Sequence, residues 1–475
     1  MARINFGTGG WRAIIGDEFT RANVRLLCGA LARRIIDEGV QEAGIVIGYD
    51  RRFLSDVAAE WAAEVFAGAG ITCQLIRVAQ APTPLIMWTV KDRGLPYGMA
   101  ITASHNPALY NGIKVFTAGG KDADEEVTVD VERRMEALEG AGEAELPSIT
   151  YARALKSGAV REIDSFNGYI DSIINQVDMD AIRNAHLKVA LDPMFGVSRT
   201  SLQTILLTAR TEVDVINDRH DTLFGGALPS PTSAGLSMLK RYVVENNCDL
   251  GIATDGDADR IGVIDDKGNF LHPNQLLVIL YYYLLKYKGW EGPVVRNVAT
   301  TSLLDDVAER FGQKCYEVPV GFKWISGKML ETGAIIGGES SGGLTVRGHI
   351  AGKDGIYAAA LLVEMIAIVG KSMSEIYDDI TGEFDPHYMA ETDFMFPMER
   401  KPEILKALME DRRIPEFTAK VVDTSHADGC KVYFTNGWII ARFSGTEPLL
   451  RIFCEMPNQF EAERACDEFR EFLGL

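Results

Sequence analysis

Residues 44–53 read GIVIGYDRRF. An apolar, β-branched run, Ile45-Val46-Ile47, ends in a polar turn, and helical spacing follows from Asp56 to Ala67. The same order recurs at LKVALDPMFG (187–196), with helical spacing from Arg199 to Leu207, and at PVVRNVATTS (293–302), with helical spacing from Thr301 to Phe311. Each stretch predicts a strand that delivers a loop from its carboxyl end, with an amphipathic helix beside it. Three such alternations in a chain of 475 residues predict three similar α/β domains.

The C-terminal region has another rhythm. Short apolar runs at Lys420-Val421-Val422, Lys431 to Phe434, Trp438 to Ala441 and Leu449 to Cys454 precede a charged helical stretch, Gln459 to Phe472. Strands followed by a terminal helix predict a smaller α+β module. Glu139 to Pro147, rich in Gly, Ala and Glu, is expected to be a linker, and Asp385 to Pro397 a second break. The expected domains are therefore 1–150, 151–265, 266–385 and 386–475, the first three α/β with mixed sheets.

Composition bounds the partners. The formal net charge is -19, which argues against nucleic acid, whose backbone demands a basic surface. A small anion can still be held by a local cluster of Lys, Arg and backbone N–H groups. The 7 cysteines are odd in number and scattered, as expected of reduced thiols in a cytoplasmic protein and not of a disulfide frame. The N-terminus shows no apolar signal core. Ile356 to Gly370, the longest apolar stretch, carries Glu364 and is shorter than a membrane span, so a buried helix is expected.

Five further stretches carry chemistry. In CDLGIATDGDADRIGVIDD (248–266), two apolar runs flank Asp255, Asp257 and Asp259. In an extended segment these alternate residues point to one side. Three converging carboxylates repel unless a cation neutralises them, and hard oxygen ligands suit Mg²⁺ or Ca²⁺. An EF-hand loop is excluded, because its sixth position must be Gly and here is Arg260. ITASHNPALY (101–110) places Ser104 after an apolar run and before an Asn-Pro turn, with His105 adjacent. GAIIGGESSGGLTVRGHIAGKDG (333–355) ends an apolar strand in a glycine-rich loop where Glu339 and Ser341 offer a carboxylate and a hydroxyl to a sugar; Lys353 follows. In ARFSGTEPLLRI (441–452), Ser444, Gly445 and Thr446 form a turn whose N–H groups can face an anion, flanked by Arg442 and Arg451. FGTGGWRAIIG (6–16) adds Arg12, with Trp11 expected in the core.

Together, T-A-S-H-N-P (102–107), D-G-D-A-D-R (255–260), G-E-S-S-G-G (338–343), R-F-S-G-T-E-P (442–448) and G-T-G-G-W-R (7–12) resemble the α-D-phosphohexomutase family, the phosphoglucomutases and phosphomannomutases. The resemblance implies four domains around a central cleft, each lending one loop. It implies interconversion of a hexose 1-phosphate and a hexose 6-phosphate through a bound 1,6-bisphosphate. Ser104 becomes the phosphoserine, and its phosphate joins Asp255, Asp257 and Asp259 around Mg²⁺. A phosphoserine carries about −1.5 to −2 charge, untenable beside three carboxylates without a metal.

Phosphoryl transfer rests on positioning and electrostatics, so cations are expected: Arg12, Arg260, Lys114, Lys323, Lys353 and Arg442. Arginine stays protonated and clamps, whereas lysine can carry a proton. Lys114 matches the family's lysine near the phosphoserine, and His105 also carries over. Lys323, in Pro319 to Trp324, lies in the segment that resembles the loop discriminating the substrate's two orientations. Many bacterial phosphomannomutases have a histidine where this chain has Gly343, and Lys353 resembles the lysine of the phosphoglucomutase branch. The expected activity is therefore a Mg²⁺-dependent phosphoglucomutase working through glucose 1,6-bisphosphate, in a monomer or homodimer. A phosphomannomutase, a dual-specificity enzyme, a 1,6-bisphosphate synthase and a non-catalytic relative are the alternatives.

Overall fold

The computed structural model describes residues 4–7, 9–77, 81–139, 146–443 and 449–475. The chain divides into two compact units, Met1–Leu276 with Ser341–Ile376, and Leu277–Ser340 with Tyr377–Leu475.

In the first unit, one mixed sheet runs in the order Trp11–Ile14, Tyr110–Thr117, Tyr97–Ile101, Ile45–Tyr49, Cys73–Ile76, Val160–Ile163. Strand Ile45–Tyr49 is parallel to both Cys73–Ile76 and Tyr97–Ile101. It is buried along its whole length, as its unbroken apolar run requires. Helix Ser55–Gly68 follows it, close to the helical spacing expected there. The sheet reaches Val160–Ile163, beyond the boundary expected at residue 150. Trp11 is buried and stacks on Phe19 at 5.5 Å.

A second mixed sheet runs Phe270–Leu271, Ile261–Ile264, Leu250–Thr254, Lys188–Asp192, Glu212–Val215. Its antiparallel pair Leu250–Thr254 and Ile261–Ile264 presents the acidic turn between them. Helix Gly355–Val369 is apolar all round, and its residues from Gly355 to Ile366 are buried, as a core helix should be. Among the described residues, no single helix is long and apolar enough to cross a membrane.

The second unit holds parallel strands Cys315–Val318, Val294–Asn297 and Ile336–Gly338. It also holds an antiparallel sheet in the order Tyr388–Met395, Leu449–Met456, Gly437–Phe443, Cys430–Phe434, Val421–Ser425, with helix Gln459–Leu473 after it. Strand Tyr388–Met395 occupies most of the stretch Asp385 to Pro397 where a break was expected. Its residues alternate between half-buried and exposed at an edge, so they lack the continuous apolar run that marks a buried strand.

Within this unit, Glu455 is buried and accepts from the Ser302 hydroxyl, from the Ser302 N–H at 2.9 Å and from Trp438 Nε1 at 3.1 Å. His387 Nδ1 lies 3.2 Å from Glu455 Oε1, and its Nε2 lies 2.8 Å from Asp306 Oδ2. Burial opposes the imidazolium, but Asp306 and Glu455 outweigh it and raise His387 to about 9. Against burial, His387 and Ser302 hold Glu455 down at about 2.

His387 therefore contributes stability that is complete below its unfolded pKa near 6.5 and fades as pH rises through about 9. The contribution is at most about 3 kcal/mol at 1.36 kcal/mol per pKa unit. Glu455 contributes above its ordinary carboxylate range and loses that only as pH falls toward 2. Thermal melts should show the midpoint of the wild-type chain falling between pH 7 and pH 10 by several degrees more than that of His387→Gln. Parallel curves would remove this role.

Candidate functional site

The first unit gathers charge at the carboxyl ends of its strands. Asp255, Asp257 and Asp259 are buried, and one oxygen from each lies within 4.8 Å of the others. They converge through a tight turn rather than the extended alternation expected. Ala258 N–H donates to the Asp255 carbonyl at 3.1 Å, and Ala258 takes a left-handed φ of 63°. Backbone bonds from Gly355 N to the Ala258 carbonyl and from Ile261 N to the Gly342 carbonyl, both at 3.1 Å, tie this turn to the segments around it.

Ser104 Oγ donates to Asp255 Oδ2 at 2.7 Å. The serine is buried and adopts a left-handed φ of 53°. Such backbone is strained in a non-glycine residue and persists where the surroundings fix it. The two loops touch at Gly256: a Cβ there would lie 2.8 Å from the Ser104 carbonyl oxygen, closer than such atoms approach. His105 Nδ1 lies 3.4 Å from Ser104 Oγ. Burial, then Arg260 and Arg12, depress the imidazole far below its ordinary value, so it stays neutral at physiological pH.

Cations answer the carboxylates. Strand Tyr110–Thr117 carries Lys114, whose Nζ donates to Asp257 at 2.6 Å and Asp259 at 2.7 Å. Burial lowers the Lys114 pKa, but Asp257 and Asp259 reverse that and raise it, so the group is an ammonium. Lys353 Nζ lies 3.1 Å from Asp259. Lys353 precedes a helix capped by Asp354, which accepts from Ile356 N at 2.8 Å and Tyr357 N at 2.9 Å. Asp354 is itself held by Tyr169 Oη at 2.8 Å and His349 Nε2 at 2.6 Å. Arg260 donates its backbone N–H to Asp255 Oδ1 at 3.1 Å, and Arg12 Nη1 donates to Asn106 Oδ1 at 3.0 Å. Against the cost of burial, Lys114, Lys353 and Arg260 hold Asp259 well below the ordinary carboxylate range. Burial, then Asp257 and Asp259, push Asp255 well above it.

The carboxylates fit a divalent cation. Asp257 Oδ1 and Asp259 Oδ1 are buried and accept no hydrogen bond among the described residues. Two orphaned anionic oxygens beside a third carboxylate form a hard-oxygen donor set.

The remaining expected residues fall elsewhere. Ser341 is exposed in the first unit. Lys323, Glu339, Arg442 and Arg451 belong to the second. There Glu339 accepts the Gly321 N–H at 3.1 Å, and Lys323 Nζ lies 5.2 Å from the centre of the Trp324 ring. Arg442 pairs with Asp428 at 3.0 Å, and Asp428 also accepts the Val320 N–H at 2.7 Å. Arg451 is Arg442's cross-strand neighbour. Ser444, Gly445 and Thr446 lie outside the described residues. Sequence reasoning missed Thr83, which donates to Asp257 at 2.6 Å, and Asn106, which holds Arg12. Asn106 stood inside a quoted motif; Thr83 carried no local signal.

Comparison with known proteins gives the class of the chain. The phosphoglucomutase/phosphomannomutase alpha/beta/alpha domain I matches residues 3–141, domain II residues 167–268, domain III residues 272–384 and the C-terminal domain residues 396–472. A phosphoglucomutase/phosphomannomutase of Thermococcus kodakarensis is 32% identical over 99% of this chain and 97% of its own length. A probable phosphoglucosamine mutase of Methanopyrus kandleri is 30% identical over 98% of this chain and 97% of its own. The crystal structure of a putative phosphomannomutase from Thermus thermophilus superposes with a TM-score of 0.84, at 28% identity, over 100% of both chains. The chain belongs to the phosphoglucomutase/phosphomannomutase family: a phosphohexomutase, with three α/β domains and a C-terminal domain.

Chelating divalent metal should reduce mutase activity to background, and added Mg²⁺ should restore it. Asp257→Asn should raise the Mg²⁺ concentration needed for half-maximal rate by at least about tenfold, in keeping with losing a charged ligand. Undiminished activity in chelator would exclude a metal role for the aspartates.

Proposed function

We propose that the chain interconverts glucose 1-phosphate and glucose 6-phosphate, with Ser104 as phosphoryl carrier and glucose 1,6-bisphosphate as intermediate. The phosphoryl group of phospho-Ser104 passes to the 6-hydroxyl of glucose 1-phosphate. The P–Oγ bond breaks, a P–O6 bond forms, the hydroxyl proton leaves to a base, and Oγ gains a proton. The bisphosphate turns round and returns its 1-phosphoryl group to Oγ, releasing glucose 6-phosphate. No phosphoryl donor is consumed, which separates this reaction from a bisphosphate synthase.

The position of Ser104 Oγ against Asp255, 2.7 Å away, supports the carrier role. Mg²⁺ held by Asp255, Asp257, Asp259 and the seryl phosphate would draw charge from the transferring group. His105, beside the seryl oxygen, and Lys114 and Lys353, beside the carboxylates, are the proposed proton carriers. Arg12 and Arg260 offset the added phosphate charge. In the second unit, Lys323, Glu339, Arg442, Arg451 and the turn Ser444-Gly445-Thr446 are proposed to bind the sugar and its distal phosphate.

One observation favours glucose. A Cβ at Gly343 would lie 2.2 Å from Lys353 Cδ. A side chain at 343, where many bacterial phosphomannomutases have histidine, would make the Lys353 side chain shift from its present place. Glycine at 343 with lysine at 353 resembles the phosphoglucomutase branch. A dual-specificity reading is supported by the 32% identical relative, which is named for both sugars.

Rates with glucose 1-phosphate, mannose 1-phosphate and glucosamine 1-phosphate, each with Mg²⁺ and trace bisphosphate, test the assignment. kcat/KM should be at least about tenfold higher for glucose 1-phosphate, the scale one hydroxyl contact supports. Equal values for glucose and mannose would establish the dual reading, and a preference for either other sugar would overturn the glucose assignment. Ser104→Ala should lose at least about 10³-fold in turnover, as loss of a nucleophile does, with an unchanged melting curve. Retained turnover would end the phosphoserine mechanism.

A further inference from the structure

The stretch GIVIGYDRRF leaves two buried charged side chains that the phosphoryl-transfer chemistry does not use. Asp50 and Arg52 lie just beyond strand Ile45–Tyr49, and their side chains are 1% and 0% exposed. A buried guanidinium is costly unless its N–H groups find acceptors. Arg52 Nη2 donates to the carbonyls of Ser104 and Asn106, both at 2.7 Å. Its Nη1 donates to the carbonyls of Pro107 at 2.8 Å and Tyr110 at 3.0 Å. Its Nε lies 3.2 Å from Asp50 Oδ2, and the Phe224 ring centre is 4.8 Å from the guanidinium carbon.

Three of the four carbonyls belong to the turn that carries Ser104, and the fourth, of Tyr110, opens the strand that follows it. Asp50 works on the other side of the same residue. It accepts from the Thr102 hydroxyl at 2.7 Å, and Thr102 Oγ1 accepts the N–H of Ser104 at 2.9 Å. The Ser55 hydroxyl at 2.8 Å and the Arg52 N–H at 2.9 Å fix the carboxylate itself. Both backbone polar groups of Ser104 thus lead to one ion pair: its N–H through Thr102 to Asp50, its C=O directly to Arg52. This is the over-determination that a left-handed φ at a serine requires.

We propose that Asp50 and Arg52 form a positioning pair for phosphoryl transfer. They lock the Ser104 backbone so that Oγ, which bonds to phosphorus in the phosphoenzyme and leaves it on transfer, stays aimed at the Asp255 side of the site. The proposal rests on the reading of Ser104 as the phosphoryl carrier. It does not give either residue contact with substrate. A misplacement of reacting groups by about 1 Å costs on the order of hundredfold in rate, so a loosened turn is felt in the transfer step and not in sugar binding.

Arg52→Lys keeps the charge but replaces a planar fork of five donors with a point charge of three, which cannot span four carbonyls. Thr102→Val removes the hydroxyl linking Ser104 N–H to Asp50 at nearly constant volume. Ile47→Val, in the core of the same sheet, serves as the stability control. Thermal melts report folding. Intact mass after incubation with glucose 1,6-bisphosphate gives the phosphorylated fraction. Rapid-quench single turnovers with glucose 1-phosphate give the transfer rate per phosphorylated molecule.

Arg52→Lys and Thr102→Val should each lose at least about tenfold in that rate. KM for glucose 1-phosphate should stay within about twofold of the parent, and the ³¹P resonance of the phosphoserine should shift. Ile47→Val should keep the parental rate per phosphorylated molecule even where its melting point falls. A rate within about twofold of the parent in either folded variant overturns the pair's role. If Arg52→Lys does not fold, Thr102→Val decides alone. A parent chain that takes up no phosphoryl group on Ser104 overturns the underlying carrier reading, and the pair's role with it, before any variant is compared.

Discussion

Three carboxylates buried within 4.8 Å of one another are the constraint on which the first unit is built. Removing one charge from water is expensive, and like charges at such separations raise the cost further. Every neighbouring element answers it. Strand Tyr110–Thr117 supplies Lys114, the residue before helix Gly355–Val369 supplies Lys353, and the acidic turn supplies Arg260. With Arg12 these positive groups offset the carboxylates, although burial and the neighbouring Asp257 and Asp259 still push Asp255 above the ordinary carboxylate range. A phosphorylated Ser104 would add about −2 at neutral pH, which a divalent cation on the two orphaned oxygens cancels. On the proposed mechanism, phosphate and metal are thus tolerated together and poorly tolerated apart.

The α/β alternation and the terminal α+β module were legible because they depend on local periodicity. The observed strands Ile45–Tyr49, Lys188–Asp192 and Val294–Asn297 sit where the apolar runs stood. The edge strand Tyr388–Met395 was not legible. Its partner, Leu449–Met456, lies far along the chain, and its own side chains lack a continuous apolar run. Nothing local distinguishes such a segment from a loop.

The acidic motif was legible as chemistry and illegible as geometry. Its residue types point to a cation whatever the backbone does, yet the convergence comes from a turn with Ala258 at positive φ, which alternation along a strand does not foresee. Thr83 and the pair Asp50–Arg52 were hidden for a different reason. Thr83 meets Asp257, and Arg52 meets the carbonyl of Ser104, across long sequence separations. A buried charge whose acceptors are backbone carbonyls leaves no mark in side-chain composition. The one available signal was positional: three charged residues, Asp50 to Arg52, directly after the carboxyl end of a fully buried parallel strand, where α/β proteins place their functional loops.

The division of the chain bears on turnover. Ser104, the three aspartates, Lys114, Lys353, Arg12 and Arg260 all lie in one compact unit, while Lys323, Glu339, Arg442 and Arg451 lie in the other. On the proposed mechanism, the bisphosphate must be held loosely enough to turn and the phosphoserine rigidly enough to transfer. Those demands conflict if one rigid element meets both. Here the distances that matter for transfer, such as Ser104 Oγ to Asp255 at 2.7 Å, are set entirely within the first unit.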